Sequence, residues 1–318
     1  MRVLLAGATG VIGRPLLRAM LAAGHEVTAL TRRRDLLPAL EELGARPSLA
    51  DVLEPAQVLE AAVRARPEVV VHQLTALPHR IDPRRVATAL APTNRLRSEG
   101  TRNLVAAAQA AGARRIVAQS IAFVCAPLPA NGPALADEDA PLHLRAPASF
   151  RPVIAAVEEL ERRVRHAAHL EGLALRYGFF YGPGTTYAPG GSMHEDVTRR
   201  RIPLVGAGPG RFSFVHLDDA VDATLRALAP GGPVGVLNVV DDHPAPLREW
   251  LPAYARALGA PAPRWIPEWL GRLGAGPYGH YLFAELPGVR NDRARAALGW
   301  APRRAWSDEP VLCGRDGA

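Results

Sequence analysis

Three glycines at intervals of three open the chain's chemistry, in the run Gly7-Ala8-Thr9-Gly10-Val11-Ile12-Gly13. Glycine permits a tight turn and a close backbone approach, and a helix that starts at such a turn aims free N–H groups at an anion. This spacing offers a cradle for a pyrophosphate, built from Gly7, Thr9, Gly10, Val11, Ile12 and Gly13. Farther along, Thr31 is followed by Arg32-Arg33-Arg34. An acidic side chain there would bond a ribose 2′-hydroxyl, whereas a guanidinium matches a 2′-phosphate through two parallel hydrogen bonds. Arg32 therefore points to NADP(H) ahead of NAD(H). Asp51 and Val52 stand where an adenine edge would lie. Leu74, Thr75 and Ala76 would run along the cofactor, with Tyr177 as a wall of the same site.

Groups able to move a proton or hold a charge are fewer. Ser120, Tyr177, Tyr181 and His194 are candidate donors, and Arg151 or Arg97 is a candidate for holding an oxyanion. All 38 basic residues are arginine, with no lysine anywhere in the chain. That excludes Schiff-base, pyridoxal-phosphate and P-loop lysine chemistry. Cys125 and Cys313 make no disulfide framework, and His166 with His169 lacks a third ligand nearby, so no metal site is expected.

These residues are carried by an alternation of short apolar runs and amphipathic segments. Strands are predicted at Arg2–Ala6, Glu26–Thr31, Arg46–Leu49, Glu68–His72, Arg114–Ala118 and Leu173–Tyr177. Helices are predicted at Val11–Ala23, Asp35–Leu43, Pro55–Arg64, Arg84–Ala111 with a break near Pro92, and Pro152–Leu170. The pattern is α/β, a Rossmann-like doubly wound parallel sheet of at least six strands. Residues 1–180 form the dinucleotide-binding domain. Residues 181–318, rich in glycine and proline, form a smaller α/β substrate lobe with helices near Asp218–Leu228 and Pro246–Leu258, and some of this segment, such as 213–240, returns to the first domain.

The 318 residues are 48% hydrophobic and 22% charged, enough for a folded chain throughout. The net charge of +7 is spread over scattered arginines with no aromatic-interleaved basic stripe, which argues against a nucleic-acid partner. No run of about 18 apolar residues occurs, so no membrane span is expected, and the short apolar N-terminus falls below a signal-peptide core. A cytoplasmic protein follows as the expectation. Alanines 106, 107, 108, 155 and 156 on two helices would let copies approach closely, giving a homodimer as the expected assembly. Glu158, Glu159 and Glu161 opposite Arg162, Arg163 and Arg165 read as a solvated helix face.

In order along the chain, Gly7-x-x-Gly10-x-x-Gly13, Gly100-Thr101-x-Asn103-Leu104, Ser120, Leu175-Arg176-Tyr177 through Tyr181-Gly182-Pro183-Gly184, Phe214-Val215-His216-Leu217-Asp218-Asp219 and Leu298-Gly299-Trp300 resemble the extended short-chain dehydrogenases/reductases, also called NAD-dependent epimerases/dehydratases. The resemblance covers nearly the whole chain. It implies a cofactor domain and a C-terminal lobe with a small-molecule substrate between them. It also implies a serine or threonine, a tyrosine and a lysine that move protons, and here the pattern departs. Phe150 falls at the tyrosine position, Ile154 at the lysine position, Ile121 at the hydroxyl position with Ser120 one place earlier, and Arg97 at an asparagine position. Arg211 and Arg290 do not match the arginines that hold a nucleotide-sugar diphosphate, so a substrate without a nucleotide is expected. Three functions fit: an atypical NADP(H)-dependent oxidoreductase acting on a carbonyl, alcohol or enone, a non-redox isomerase, cyclase or dehydratase on the same scaffold, and an NADP(H)-sensing protein without catalysis.

Overall fold

The computed structural model describes residues 1–129, 131–132 and 134–307; Cys313 lies outside the described residues. Strands β1 (Arg2–Ala6), β2 (Glu26–Thr31), β3 (Arg46–Leu49), β4 (Val69–His72), β5 (Arg115–Ile121) and β6 (Glu171–Tyr177) are joined by helices α1 (Gly13–Ala22), α2 (Leu37–Glu42), α3 (Pro55–Ala65), α4 (Val86–Arg95), α5 (Thr101–Ala110) and α6 (Arg151–Arg165). Their β-branched, apolar sequences suit strands buried on both faces. Side chains alternate accordingly. Val3, Leu5, Val69, Val71, Val117, Leu173 and Leu175 pack on one side with Leu16, Leu17 and Met20 of α1. Leu4, Ala6, Val70, Ile116, Ala118 and Ala174 pack on the other with Val58, Leu104, Leu160 and Val164.

Beyond β6 the chain makes β7 (Phe179–Tyr181), α7 (Ser192–Thr198), β8 (Leu204–Val205), β9 (Arg211–Phe212), β10 (Phe214–His216) and α8 (Leu217–Arg226). Then come β11 (Gly235–Val239), β12 (Ala245–Pro246), α9 (Leu247–Ala257), β13 (Trp265–Ile266), α10 (Glu268–His280) and α11 (Asp292–Leu298). Strand β11 adds to the main sheet beside β6, giving seven parallel strands in the order β11-β6-β5-β4-β1-β2-β3. The order reverses between β1 and β4, the crevice where open sheets of this kind bind ligands. Three small pairs, β7 with β10, β9 with β12 and β8 with β13, lie outside this sheet. A separate aromatic core holds Phe150, Tyr181, Phe214, Trp250, Tyr254, Tyr278 and Tyr281.

One break differs from the sequence expectation. Helix α4 runs through Pro92, and the interruption comes later, as a π-helical turn at Leu96–Gly100 leading into α5. Proline removes one hydrogen bond of the helical ladder. The Leu96 N–H is shared between the carbonyls of Pro92 and Thr93, and the Ser98 hydroxyl donates to the Asn94 carbonyl at 3.0 Å, so the ladder widens one turn downstream. Helix α6 likewise stops at Arg165 rather than Leu170, because His169 takes a left-handed turn at φ +60° ahead of β6.

Candidate active site

The glycine turn joins β1 to α1. Gly7 has φ +102°, and a Cβ there would lie 2.5 Å from the Gln73 carbonyl oxygen. A Cβ on Gly13 would lie 1.9 Å from the Gly7 carbonyl oxygen, so strand and helix close on each other only through glycine. Gly10 differs: its N–H donates to the Gly7 carbonyl at 3.0 Å, and a Cβ would meet only that oxygen, at 3.4 Å. Gly10 and Val11 are exposed, Ile12 is buried, and no side chain caps α1. An uncapped helix N-terminus beside an open glycine suits the pyrophosphate of a dinucleotide. The Thr9 carbonyl accepts from Arg14 Nε at 3.2 Å, which steadies the outer edge of the turn.

At the adenosine end, the Thr31 hydroxyl accepts from the Arg33 N–H at 3.1 Å, and Arg33 pairs with Asp35. Arg32 extends into solvent with its guanidinium 4.0 Å from Asp51. Asp51 closes its own turn by accepting from the Leu53 N–H at 3.0 Å. The Val52 carbonyl accepts from Asn103 Nδ2 at 2.9 Å, and Val52 packs on Gly100. Beyond β4, the Leu74 N–H donates to His72 Nδ1 at 3.2 Å and the Ala76 N–H to the Thr93 hydroxyl at 3.0 Å, leaving Thr75 exposed between them. Because His72 Nδ1 accepts, its Nε2 carries the proton and faces the Thr101 hydroxyl at 3.1 Å. Burial, aided by the charge of Arg97, holds this imidazole down to about 4.

The catalytic candidates do not form one constellation. The Ser120 hydroxyl donates to Glu161 Oε1 at 2.7 Å, and the same carboxylate takes two bonds from Arg176, at 2.7 and 2.8 Å. Glu161 is therefore no part of the solvated helix face: it lies on the buried stripe of α6, while Glu159 takes Arg162 and Arg163 outside. Tyr177, expected beside the cofactor, points its hydroxyl into the core between Thr224 at 2.6 Å and Gln73 at 3.2 Å, and burial raises it to about 12. Tyr181 is fully buried edge-on against Phe214 and His216. Arg151, exposed on the first turn of α6, donates to the Ala146 carbonyl at 3.0 Å. His194 is half-buried on α7, its N–H held by the Thr186 carbonyl at 3.1 Å.

A different cluster stands at the start of α6. Phe150 and Ile154 are buried in the apolar core. The Phe150 ring packs on Tyr278 of α10 at 4.5 Å and on Tyr281 at 5.8 Å, and the Tyr281 hydroxyl donates to the Cys125 carbonyl at 2.8 Å. The charge of Arg97, from the π-helical turn, acts on the Tyr278 hydroxyl. Sequence reading missed Tyr278 because its segment, Gly274-Ala275-Gly276-Pro277, reads as loop. The signal available was Arg97 itself, an arginine where the family pattern has asparagine.

A family model described as the NAD dependent epimerase/dehydratase family matches residues 3–239. The chain belongs to that family. A 3-diazoavenalumate denitrifying reductase from a Streptomyces species is 50% identical over 311 residues, covering 97% of this chain and 98% of that protein. A 2-alkyl-3-oxoalkanoate reductase from Stenotrophomonas maltophilia is 29% identical over 274 residues, covering 82% of this chain and 77% of that one. Among solved structures, Thermus thermophilus UDP-glucose 4-epimerase in complex with NAD superimposes with a TM-score of 0.72 over the whole of both chains at 23% identity. The protein is an enzyme, an oxidoreductase of the epimerase/dehydratase family, with the fold of nicotinamide-dinucleotide proteins.

Proposed function

We propose that this chain is an NADP(H)-dependent reductase whose acceptor is an aryl diazo group on a small carboxylate-bearing substrate with no nucleotide. One observation carries the reading: the positions that the family pattern gives to a proton-moving tyrosine and lysine are Phe150 and Ile154, both buried among apolar side chains. A carbonyl or an epimerised carbinol needs a proton at oxygen, and neither residue can supply or take one. Supporting this choice of acceptor is the 50% identity to a reductase whose name specifies a diazo compound and its loss of nitrogen.

The chemistry that the reduced dinucleotide would supply is a hydride, and with an aryl diazonium acceptor a C–N bond breaks, N2 leaves and a C–H bond forms, no proton being drawn from the protein. The chain's own contribution is binding and orientation. Gly7, Gly10 and Gly13 with the open end of α1 would hold the pyrophosphate. Arg32, whose contact with Asp51 is long and solvent-exposed, is free to swing onto a 2′-phosphate. The buried aromatic wall of Phe150, Tyr278 and Tyr281 would exclude water from the reacting group. A cytoplasmic homodimer belongs to the same proposal; of the five alanines, only Ala106 and Ala155 stay exposed to meet a partner. The test is to supply NADPH and an aryl diazonium carboxylate and measure N2: release in step with NADPH oxidation is expected, and the absence of both refutes the reading.

A further inference from the structure

Three arginines are buried among the described residues, and two of them are paired with a carboxylate, although Nη1 of Arg176 has no acceptor. Arg115 donates to the carbonyls of Ala227 and Pro233, both at 2.6 Å, and pairs with Glu171 at 3.0 Å. Arg176 holds Glu161 through two bonds. Arg97 has neither kind of partner. It is 6% exposed, no carboxylate among the described residues pairs with it, and its Nη1 has no hydrogen-bond acceptor there. A buried guanidinium without a counter-charge loses its hydration with nothing in return, so chains retain one only where something else completes it.

Its setting says what that is. The π-helical turn that carries Arg97 packs against α6, where Phe150 and Ile154 stand in place of the proton relay. Arg97 and the Tyr278 hydroxyl act on each other by charge, the Tyr278 ring packs on that of Phe150 at 4.5 Å, and the Tyr278 hydroxyl makes no hydrogen bond among the described residues. On the other side, His72 feels the same charge from the end of β4, the strand that leads into Leu74–Ala76. His72 is neutral, with its Nε2 proton turned to Thr101, so it offers no anion. Around Arg97 the described groups that act on it by charge are thus one phenol and one neutral imidazole, with no negative group.

We propose that Arg97, with the Tyr278 hydroxyl beside it, binds an anionic oxygen of the substrate, a carboxylate or an aryloxide. This rests on the reductase reading for the identity of the substrate. It also removes an electrostatic conflict in that reading: a cationic diazonium is repelled by a bare guanidinium, whereas a substrate bringing its own oxyanion neutralises Arg97 as it enters. Guanidinium and phenol together match an oxyanion with short charge-assisted bonds.

The test uses unreactive probes on the intact protein with NADP bound: cinnamate for a carboxylate, 4-nitrophenolate for an aryloxide, and cinnamamide and 4-nitroanisole as neutral partners. Binding is followed by calorimetry and by the nitrophenolate absorbance. At least one anion is expected to bind at least tenfold more tightly than its neutral partner, and which one binds identifies the source. Arg97→Met should weaken that anion at least tenfold, Arg97→Lys should retain part of the binding, and Tyr278→Phe should cost a few-fold. The melting temperature of Arg97→Met should be unchanged or raised, since an unpaired buried cation is removed. Binding that is equal for anion and neutral probe, absent for both anions, or indifferent to all three substitutions overturns the proposal. So does a lowered melting temperature in Arg97→Met with anion binding intact in Tyr278→Phe and Arg97→Lys. No arm needs N2 release, so a failed diazo assay leaves this result readable.

Discussion

Replacing Ser120 with alanine separates a structural hydroxyl from a catalytic one. In the structure that hydroxyl donates to Glu161 Oε1 at 2.7 Å inside the core, beside the two Arg176 bonds to the same carboxylate. A buried hydrogen bond to a charged acceptor contributes about 1.5–3 kcal/mol net. Glu161 keeps Arg176, so Ser120→Ala should cost roughly 2 kcal/mol, a melting shift of about 3 °C for a chain of this size. Glu161→Ala should cost more, about 3–5 kcal/mol, because Arg176 is then buried without a partner. The assays are chemical denaturation for stability, and NADPH oxidation with the diazonium substrate for kcat and KM at a temperature where both proteins are folded. Ser120→Ala should keep kcat within about threefold, whereas loss of a general acid would cost about 10²–10⁴-fold. Unchanged stability with a hundredfold loss of kcat would refute the structural assignment.

Three further outcomes follow from the geometry. Gly10→Ala should leave folding intact, since its Cβ meets only the Gly7 carbonyl at 3.4 Å, while dinucleotide affinity falls at least tenfold by calorimetry; Gly13→Ala, whose Cβ would sit 1.9 Å from that carbonyl, should destabilise the fold itself. Arg32→Glu should weaken NADPH at least tenfold and leave NADH within about threefold, measured by fluorescence titration. His72 is held neutral down to about 4 against an ordinary 6.5, so the unfolded chain takes up a proton first as pH falls. The stability that this provides is full above pH 6.5 and is lost toward pH 4 by up to about 3 kcal/mol, and His72→Gln should flatten that part of the denaturation profile.

Much of the sheet was legible from period and punctuation. Strands such as Val69–His72 are short β-branched runs, and the glycine turn after Arg2–Ala6 marks the first crossover. The site was legible only at its cofactor end, because a backbone cradle is written in glycines at fixed spacing. The substrate end depends on side chains from distant elements. Glu161 looked like one more charge on an arginine-rich helix, yet its place four residues after Val157 puts it on the buried stripe, where Arg176 from β6 meets it. Tyr177 could be placed on a strand, but only the fold shows which face of that strand it uses. Proline 92 marked a disturbance without locating it, since the widened turn that carries Arg97 forms downstream. Tyr278 comes from a helix kinked at Gly276, φ +67°, whose glycines and proline hide its period.

The most direct test of hydride delivery without a protein proton relay uses NADPH deuterated separately on each face of C4, with an aryl diazonium carboxylate as acceptor. Released N2 is measured by mass spectrometry together with the label left in the oxidised cofactor. The account predicts one N2 for each NADPH consumed, with deuterium lost from one face only. NADPH oxidation without N2, N2 release with no cofactor oxidised, or equal loss of label from both faces would contradict it.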